Sequence, residues 1–254
     1  MNESRKLVPM QTGIEKSGSF VTSQFTTAMA LPPPKSTEPG GPALTISHQT
    51  GAGAHALAQR LAEILEASEE NGRAGWAVLD RQLVERALEE HHLPPELAQK
   101  MPEDKRSYVD DILDDLFGLR PPSWVLVPQV VETVLRLAQV GHVVLIGRGA
   151  TIVTAQLPNV FHVRLVASLE TRIARIQASH NLTADEAAKF VEKEDRGRDR
   201  YVRANFHARL DDALLYHMAV NTDRFDSEDA AGLIAEGALR FFRRAEAVKP
   251  VGNR

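Results

Sequence analysis

The chain has 254 residues, 43% of them hydrophobic and 25% charged, with a formal net charge of −4 and no cysteine. Disulfides, thiolate metal sites and a cysteine nucleophile are therefore excluded, and the acidic balance argues against a general nucleic-acid binder while leaving room for a local basic patch. No apolar run approaches the ~20 residues that span a bilayer, and the N-terminus lacks the apolar stretch of a signal peptide, so the expectations are no membrane partner and, by default, a cytoplasmic location.

Met1 to about Pro42 is rich in Ser, Thr and Pro, includes Pro32-Pro33-Pro34 and has no apolar period. It is expected to be a disordered tail, or a docking or targeting segment, that folding does not need. Leu44-Thr45-Ile46 then opens an apolar run that enters Ser47-His48-Gln49-Thr50-Gly51-Ala52-Gly53-Ala54-His55. Leu57, Leu61, Ile64 and Leu65 follow at helical spacing. Strand, small-residue loop and helix make the geometry of a phosphate cradle, in which glycines let the backbone approach an anion and the first helical amides point at it. The P-loop pattern asks for Gly-Lys-Ser/Thr, whereas Ala54 and His55 stand at the lysine and hydroxyl positions. From the loop alone, a nucleotide site and an ordinary strand-to-helix turn both stand.

Trp76 to Leu79 is a short apolar run ending at Asp80, and the stretch after it has helical spacing. Leu93 to Trp124 is acidic, broken by prolines and expected to form short helices in an insert. Val125 to Val140 predicts a stronger helix. His142 to Ile146 leads into Gly147-Arg148-Gly149, and Val160 to Val166 leads into a helix starting near Ser168. Thr183-Ala184-Asp185-Glu186 is a capping box, whose helix runs into Asp195-Arg196-Gly197-Arg198-Asp199-Arg200-Tyr201-Val202-Arg203. Tyr216 to Thr222 precedes a last helix carrying Leu233, Ile234, Ala238, Phe241 and Phe242. Continuously apolar strands alternating with helices predict a parallel five-stranded sheet covered on both faces, an α/β fold.

Ligands of such sheets sit beyond the carboxyl ends of the strands, so Ser47 to Gly53, Asp80, Gly147-Arg148-Gly149 and Asn221-Thr222 are the candidate positions. Arg196, Arg198, Arg200, Arg203 and Arg209 add a lysine-free cluster. Guanidinium forks grip phosphate in two places, so this reads as a phosphate-gripping lid, or else as a solvated helix face with Asp195 and Asp199 pairing locally. Arg148 has glycine on both sides, leaving room for a bound group, or is a surface loop arginine. No metal role is assigned to His48 or His55, because no cysteine or carboxylate stands near them at ligand spacing.

Five stretches together resemble the cytidylate kinase-like family of P-loop nucleoside monophosphate kinase relatives. They are Ile46 to Gly53, Leu79-Asp80-Arg81-Gln82-Leu83, Val144 to Ala150 with its Gly147-Arg148-Gly149, Asp195-x-x-Arg198-x-x-Tyr201, and Tyr216 to Thr222. The resemblance implies a P-loop nucleoside monophosphate kinase-like domain over residues 43–247, with a helical insert at about 81–124, an Arg-rich lid at about 183–210 and a C-terminal tail at 248–254. It implies phosphoryl transfer from ATP, with Mg2+, to a small acceptor such as CMP, with small-molecule nucleotides as partners. By matching position, Ser47, Gly51, Ala52, Gly53, Ala54 and His55 would hold the ATP phosphates. Arg148 would hold the acceptor phosphate, and Asp80 would sit near the acceptor or magnesium. Arg198, with Arg196 and Arg203, would close over the transferring group. His48 replaces the family's usual arginine, and no lysine occurs between Lys35 and Lys100. That loss of a cation leaves a second expectation, a nucleotide-binding sensor without turnover.

Overall fold

The computed structural model describes residues 40–69, 75–80, 126–147 and 149–247. The expected tail up to residue 39, the insert at 81–124, Arg148 and the tail at 248–254 lie outside the described residues. The order of elements is β1 (Ala43–His48), α1 (Ala54–Ala67), β2 (Ala77–Leu79), α2 (Leu126–Val140), β3 (Val143–Ile146), the short α3 (Ala150–Val153), β4 (Val160–Val166), α4 (Leu169–His180), α5 (Ala184–Phe206), a 3-10 turn (Ala213–Leu215), β5 (Met218–Asn221) and α6 (Ser227–Ala247).

All strand pairs are parallel, in the order β2-β3-β1-β4-β5. Side chains alternate across a sheet, which lets the continuously apolar strands serve two cores at once. Leu44, Ile46, Val144, Ile146, Val163 and Leu165 face α1 and α6. Ala43, Val143, Leu145 and Val160 face the opposite side, against Val134, Leu137 and Ala138 of α2. Leu57, Leu61 and Leu65 of α1 are buried at the expected helical spacing, and Ala230, Ile234 and Ala238 of α6 meet them.

Gly41, just before Pro42, is already tied to the domain. The Gly41 N–H donates to the Gln139 carbonyl at 3.2 Å, and its own carbonyl accepts from Asn159 Nδ2 at 2.6 Å. Ser168 caps α4, and Thr183 with Glu186 forms the complete capping box at the start of α5. None of the described helices is long and apolar enough to cross a membrane.

His162 in β4 is buried inside this framework. Its Nδ1 lies 2.8 Å from Thr45 Oγ1, which is 3.0 Å from Thr151 Oγ1. The His217 ring stacks on it at 5.0 Å, and His217 Nδ1 accepts the His162 backbone N–H at 2.9 Å. Burial, and then the charge His217 would carry, push the His162 imidazole down to about 4. The folded state therefore favours neutral His162. Its contribution to stability is complete above the unfolded value of ~6.5 and is lost as pH falls toward 4, for a total of roughly 3 kcal/mol. Tm should accordingly fall between pH 6.5 and 4, with His48 and His217, whose values are also lowered, adding to the same slope. His162→Gln should make that slope shallower; an unchanged slope would remove His162 from the account.

Candidate functional site

The loop between β1 and α1 is held from both sides. The Gln49 N–H donates to the Leu165 carbonyl at 3.1 Å, the Gln49 side-chain oxygen accepts from the Ala167 N–H at 3.0 Å, and the Ala52 N–H donates to Gln49 O at 3.1 Å. Gly51 has φ +81°, and a Cβ there would stand 2.6 Å from the Arg172 carbonyl oxygen. Only glycine combines that backbone conformation with that approach. Gly53 caps α1, with no side chain accepting from the helix's first amides. Ala52 and Ala54 are buried, so near this loop they have only their backbone to offer a ligand. Donors left open at the N-terminus of a 14-residue helix are suited to an anion.

His55 lies in the first turn of α1, and its Nε2 is 2.8 Å from Oδ2 of Asp80 at the end of β2. Sequence reasoning put no carboxylate near the loop histidines. The fold brings one there, because β1 and β2 lie in one parallel sheet, so the loop after β1 and Asp80 after β2 sit at the same carboxyl ends. The hydrogen bond to Asp80 raises the His55 pKa, against the opposing effect of burial. Among the described residues, no cluster of three His, Asp or Glu side chains forms.

The arginine-rich segment is the second half of α5, and it is docked rather than free. Asp195 Oδ1 accepts from the Thr50 N–H at 2.9 Å, from Thr50 Oγ1 at 2.7 Å and from Arg198 Nη2 at 2.8 Å. Its Oδ2 accepts from Arg172 Nη1 of α4 at 2.6 Å. Arg198 Nη2 also donates to Thr50 Oγ1. Burial opposes the charge on Asp195, but the Thr50 N–H, Arg198 and the Thr50 hydroxyl outweigh it and hold the carboxyl below its ordinary range. Behind the loop, Arg175 of α4 donates to Thr222 Oγ1 at 2.9 Å and Thr222 O at 2.7 Å, and Thr222 Oγ1 donates to Ala52 O at 3.2 Å. At the far end of α5, Phe206 rests on Gly149, where a Cβ would meet its ring at 2.5 Å.

The other lid arginines divide. Arg203 pairs with Asp199 at 2.8 Å and borders the cleft under α5. Arg196 pairs with Glu192 at 2.5 Å on the solvent side. Arg200 is exposed, and Arg209 pairs with Asp211 at 2.7 Å. The expected local pairing is thus present, while Asp195 and Arg198 also reach across to the loop.

Below α5 a cleft runs along the carboxyl ends of β1, β3 and β4. One part is bordered by Ser47, His48, Gly147, Gly149, Arg198 and Tyr201, the other by His48, Gln49, Arg164, Arg198 and Arg203. Burial, and then the Arg198 charge, hold the His48 imidazole down at about 3, so it is neutral here. Sequence reasoning missed Arg164, Arg172, Arg175 and the loop contact of Asp195. A charged residue inside the apolar run Val160 to Val166 was the one legible sign of Arg164. The partners of the others lie 47 to 145 positions away in the chain, apart from Arg172–Asp195 at 23.

A parallel sheet in the order 2-3-1-4-5, with a glycine loop leading from its central strand into a helix, defines a P-loop kinase-like α/β fold. The family model described as cytidylate kinase-like matches residues 43–224, and the chain belongs to that family. An uncharacterized protein from Eubacterium ventriosum ATCC 27560 has a similar fold at TM-score 0.57 and 14% identity, over 80% of this chain and 98% of that one. The shikimate kinase from Acinetobacter baumannii, solved with shikimate, aligns at TM-score 0.42 and 18% identity over 79% and 94%. The shikimate kinase from Bacteroides thetaiotaomicron aligns at 0.40 and 16% over 81% and 98%. No curated protein sequence matches.

Asp195→Ala should cost about 2–4 kcal/mol in urea unfolding, because it leaves the buried Arg172 without its counter-charge. Thr50→Val, which removes one hydroxyl partner, should cost only about 1 kcal/mol. Equal stability of Asp195→Ala and wild type would mean that the contact is solvated and idle.

Proposed function

We propose that the protein transfers a phosphoryl group from ATP to a small acceptor, with nucleoside monophosphates such as CMP as the acceptor class. The observation that carries this reading is the docking of Arg198 onto the glycine loop, which puts a phosphate-gripping side chain over a backbone suited to phosphates. In this reading the loop from Ser47 through Gly51, Ala52, Gly53, Ala54 and His55 holds the ATP phosphates through its amides. The segment at about 183–210 acts as the lid. Arg198 closes over the transferring group, Arg203 and Arg196 assist once released from Asp199 and Glu192, and Asp80 borders the acceptor side. Arg148 is proposed for the acceptor phosphate on the family resemblance alone.

The loop fits ATP, since its glycine backbone and uncapped helix amides suit polyphosphate. It does not fit a magnesium ion held in the P-loop manner. The hydroxyl position is His55, and its imidazole nitrogen is engaged with Asp80. Magnesium, which the family implies, would have to come with the nucleotide, and no step here depends on it.

The chemistry left to the chain is positioning and charge stabilisation. An acceptor oxygen attacks the terminal phosphorus, the bond to the bridging oxygen breaks, and ADP leaves with that electron pair. Arg198 meets the charge spreading over the equatorial oxygens, so its contacts strengthen along the reaction and count for more in turnover than in binding. Without a loop lysine, the cations that border the cleft among the described residues are arginines.

Steady-state ADP formation across nucleoside monophosphates, with ATP affinity measured by calorimetry, tests the reading. Arg198→Lys keeps the charge but loses the fork. It should lower turnover at least about tenfold, or ~1.4 kcal/mol, with little change in ATP affinity. Equal turnover would return Arg198 to a structural role. Clear ATP binding by the wild type with no turnover on any acceptor would make the protein a nucleotide sensor.

A further inference from the structure

Arg164 is an arginine in the interior of a sheet. It lies on β4, in register with Ser47 of β1 on one side and Ala219 of β5 on the other. A cation rarely occupies such a place without an opposite charge, because burial removes its hydration and nothing repays the loss. Arg164 is half-buried. Its Nη1 donates to Ser47 Oγ at 2.7 Å, and its guanidinium carbon stands 6.0 Å from the centre of the Tyr216 ring. Its other N–H donors have no hydrogen-bond acceptor, and it makes no ion pair, among the described residues.

The acids around it are already committed. Asp195 serves Thr50, Arg172 and Arg198, Asp199 serves Arg203, and Asp211 serves Arg209. Burial lowers the Arg164 pKa and Arg198 adds to it, outweighing Tyr216, Asp195 and Asp211, which favour the charge. His48, which shares the cleft, is held neutral and brings no countercharge. Arg164 is therefore left with a polar but uncharged partner, facing an open cleft that Arg198 and Arg203 also border.

We propose that Arg164, with the hydroxyl group of Ser47 beside it, is an anion subsite that receives a phosphate-monoester oxyanion of the acceptor. The Tyr216 hydroxyl gives its single proton to the Leu210 carbonyl at 2.9 Å, which fixes the ring beside Arg164 and leaves Ser47 as the hydroxyl donor to the anion. A guanidinium with spare N–H donors bridges two oxygens of one group. A group with three terminal oxygens makes use of three bordering arginines, which a carboxylate cannot do. The anion supplies the missing countercharge, and ordering Arg164 by Ser47 beforehand lowers the entropic cost of the contact. Assigning the anion to the acceptor rests on the phosphotransferase reading above; the anion subsite itself rests on Arg164 and its surroundings.

The test uses the full chain and three titrations, with inorganic phosphate, CMP and its neutral counterpart cytidine, and ATP as a control. Wild type should be stabilised by phosphate in thermal unfolding and should bind CMP at least tenfold more tightly than cytidine. Arg164→Gln should lose part of the phosphate stabilisation, the glycine loop keeping the rest, and cut the CMP-over-cytidine preference at least tenfold, with ATP affinity within twofold of wild type. Arg164→Lys, which keeps the charge and guards against a folding defect in the first variant, should fall between. Circular dichroism would establish that both variants are folded. Phosphate and CMP bound equally by wild type and both variants would overturn the subsite while leaving the kinase reading intact. Phosphate bound through Arg164 by a protein that binds neither ATP nor CMP would uphold the subsite and overturn the kinase reading. Failure of wild type to bind phosphate or CMP at all would overturn the subsite.

Discussion

The carboxylate of Asp195 is the contact on which the site depends. It is held 145 positions from the loop it grips, and it binds three elements at once: the loop after β1 through Thr50, α4 through Arg172, and the next turn of its own helix through Arg198. Each is a charge-assisted or backbone hydrogen bond, the stronger kind in a partly dry setting. Remove that one acceptor and the polar tie of α5 to the glycine loop shrinks to Arg198 on the Thr50 hydroxyl, while Arg172 is left buried with its charge. The remaining support of α5 is apolar: Val191 and Ala187 against Ile176, and Phe206 on Gly149.

The rest of the site follows from how the sheet is built. Both faces of the sheet are spent on core packing, so polar groups collect where the strands end. At those ends nearly every charge is matched: Arg172 by Asp195, Arg203 by Asp199, His55 by Asp80. Ala54 stands where a P-loop has its lysine, Arg198 of α5 reaches Thr50 of the loop, and the first-turn histidine is engaged with Asp80 at the end of β2. In the proposed reaction the backbone amides would serve the ground-state phosphates and the guanidinium forks the charge that develops during transfer.

Much of the fold was legible because it depends on local pattern. Val160 to Val166 forms the strand its apolar run predicts, Thr183 and Glu186 close the capping box, and the parallel five-stranded arrangement follows from strand–helix alternation. The strands near Trp76 and Tyr216 are shorter than their apolar runs, because Trp76 turns into the core beside Phe242 and His217 stacks on Phe161 and Phe241 at the sheet's edge. The glycine loop and the arginine run were also legible, but not the contact between them. Local spacing pairs Asp195 with Arg198 and stops there. That Thr50 and Arg172 share the same carboxylate depends on α4 and α5 folding back over the carboxyl ends of the strands, which no short-range pattern encodes. The same holds for His55 and Asp80, which the chain separates by 25 positions and the parallel pairing of β1, β3 and β2 rejoins.

The most direct test of the account is an ATP titration followed by backbone and arginine side-chain NMR on the full chain. If the loop is the phosphate cradle under α5, the largest shifts should fall on the amides of Gly51, Gly53, Ala54 and His55 and on the Arg198 guanidinium, with α6 undisturbed. Saturable ATP binding that leaves those amides unmoved and shifts another surface would contradict it.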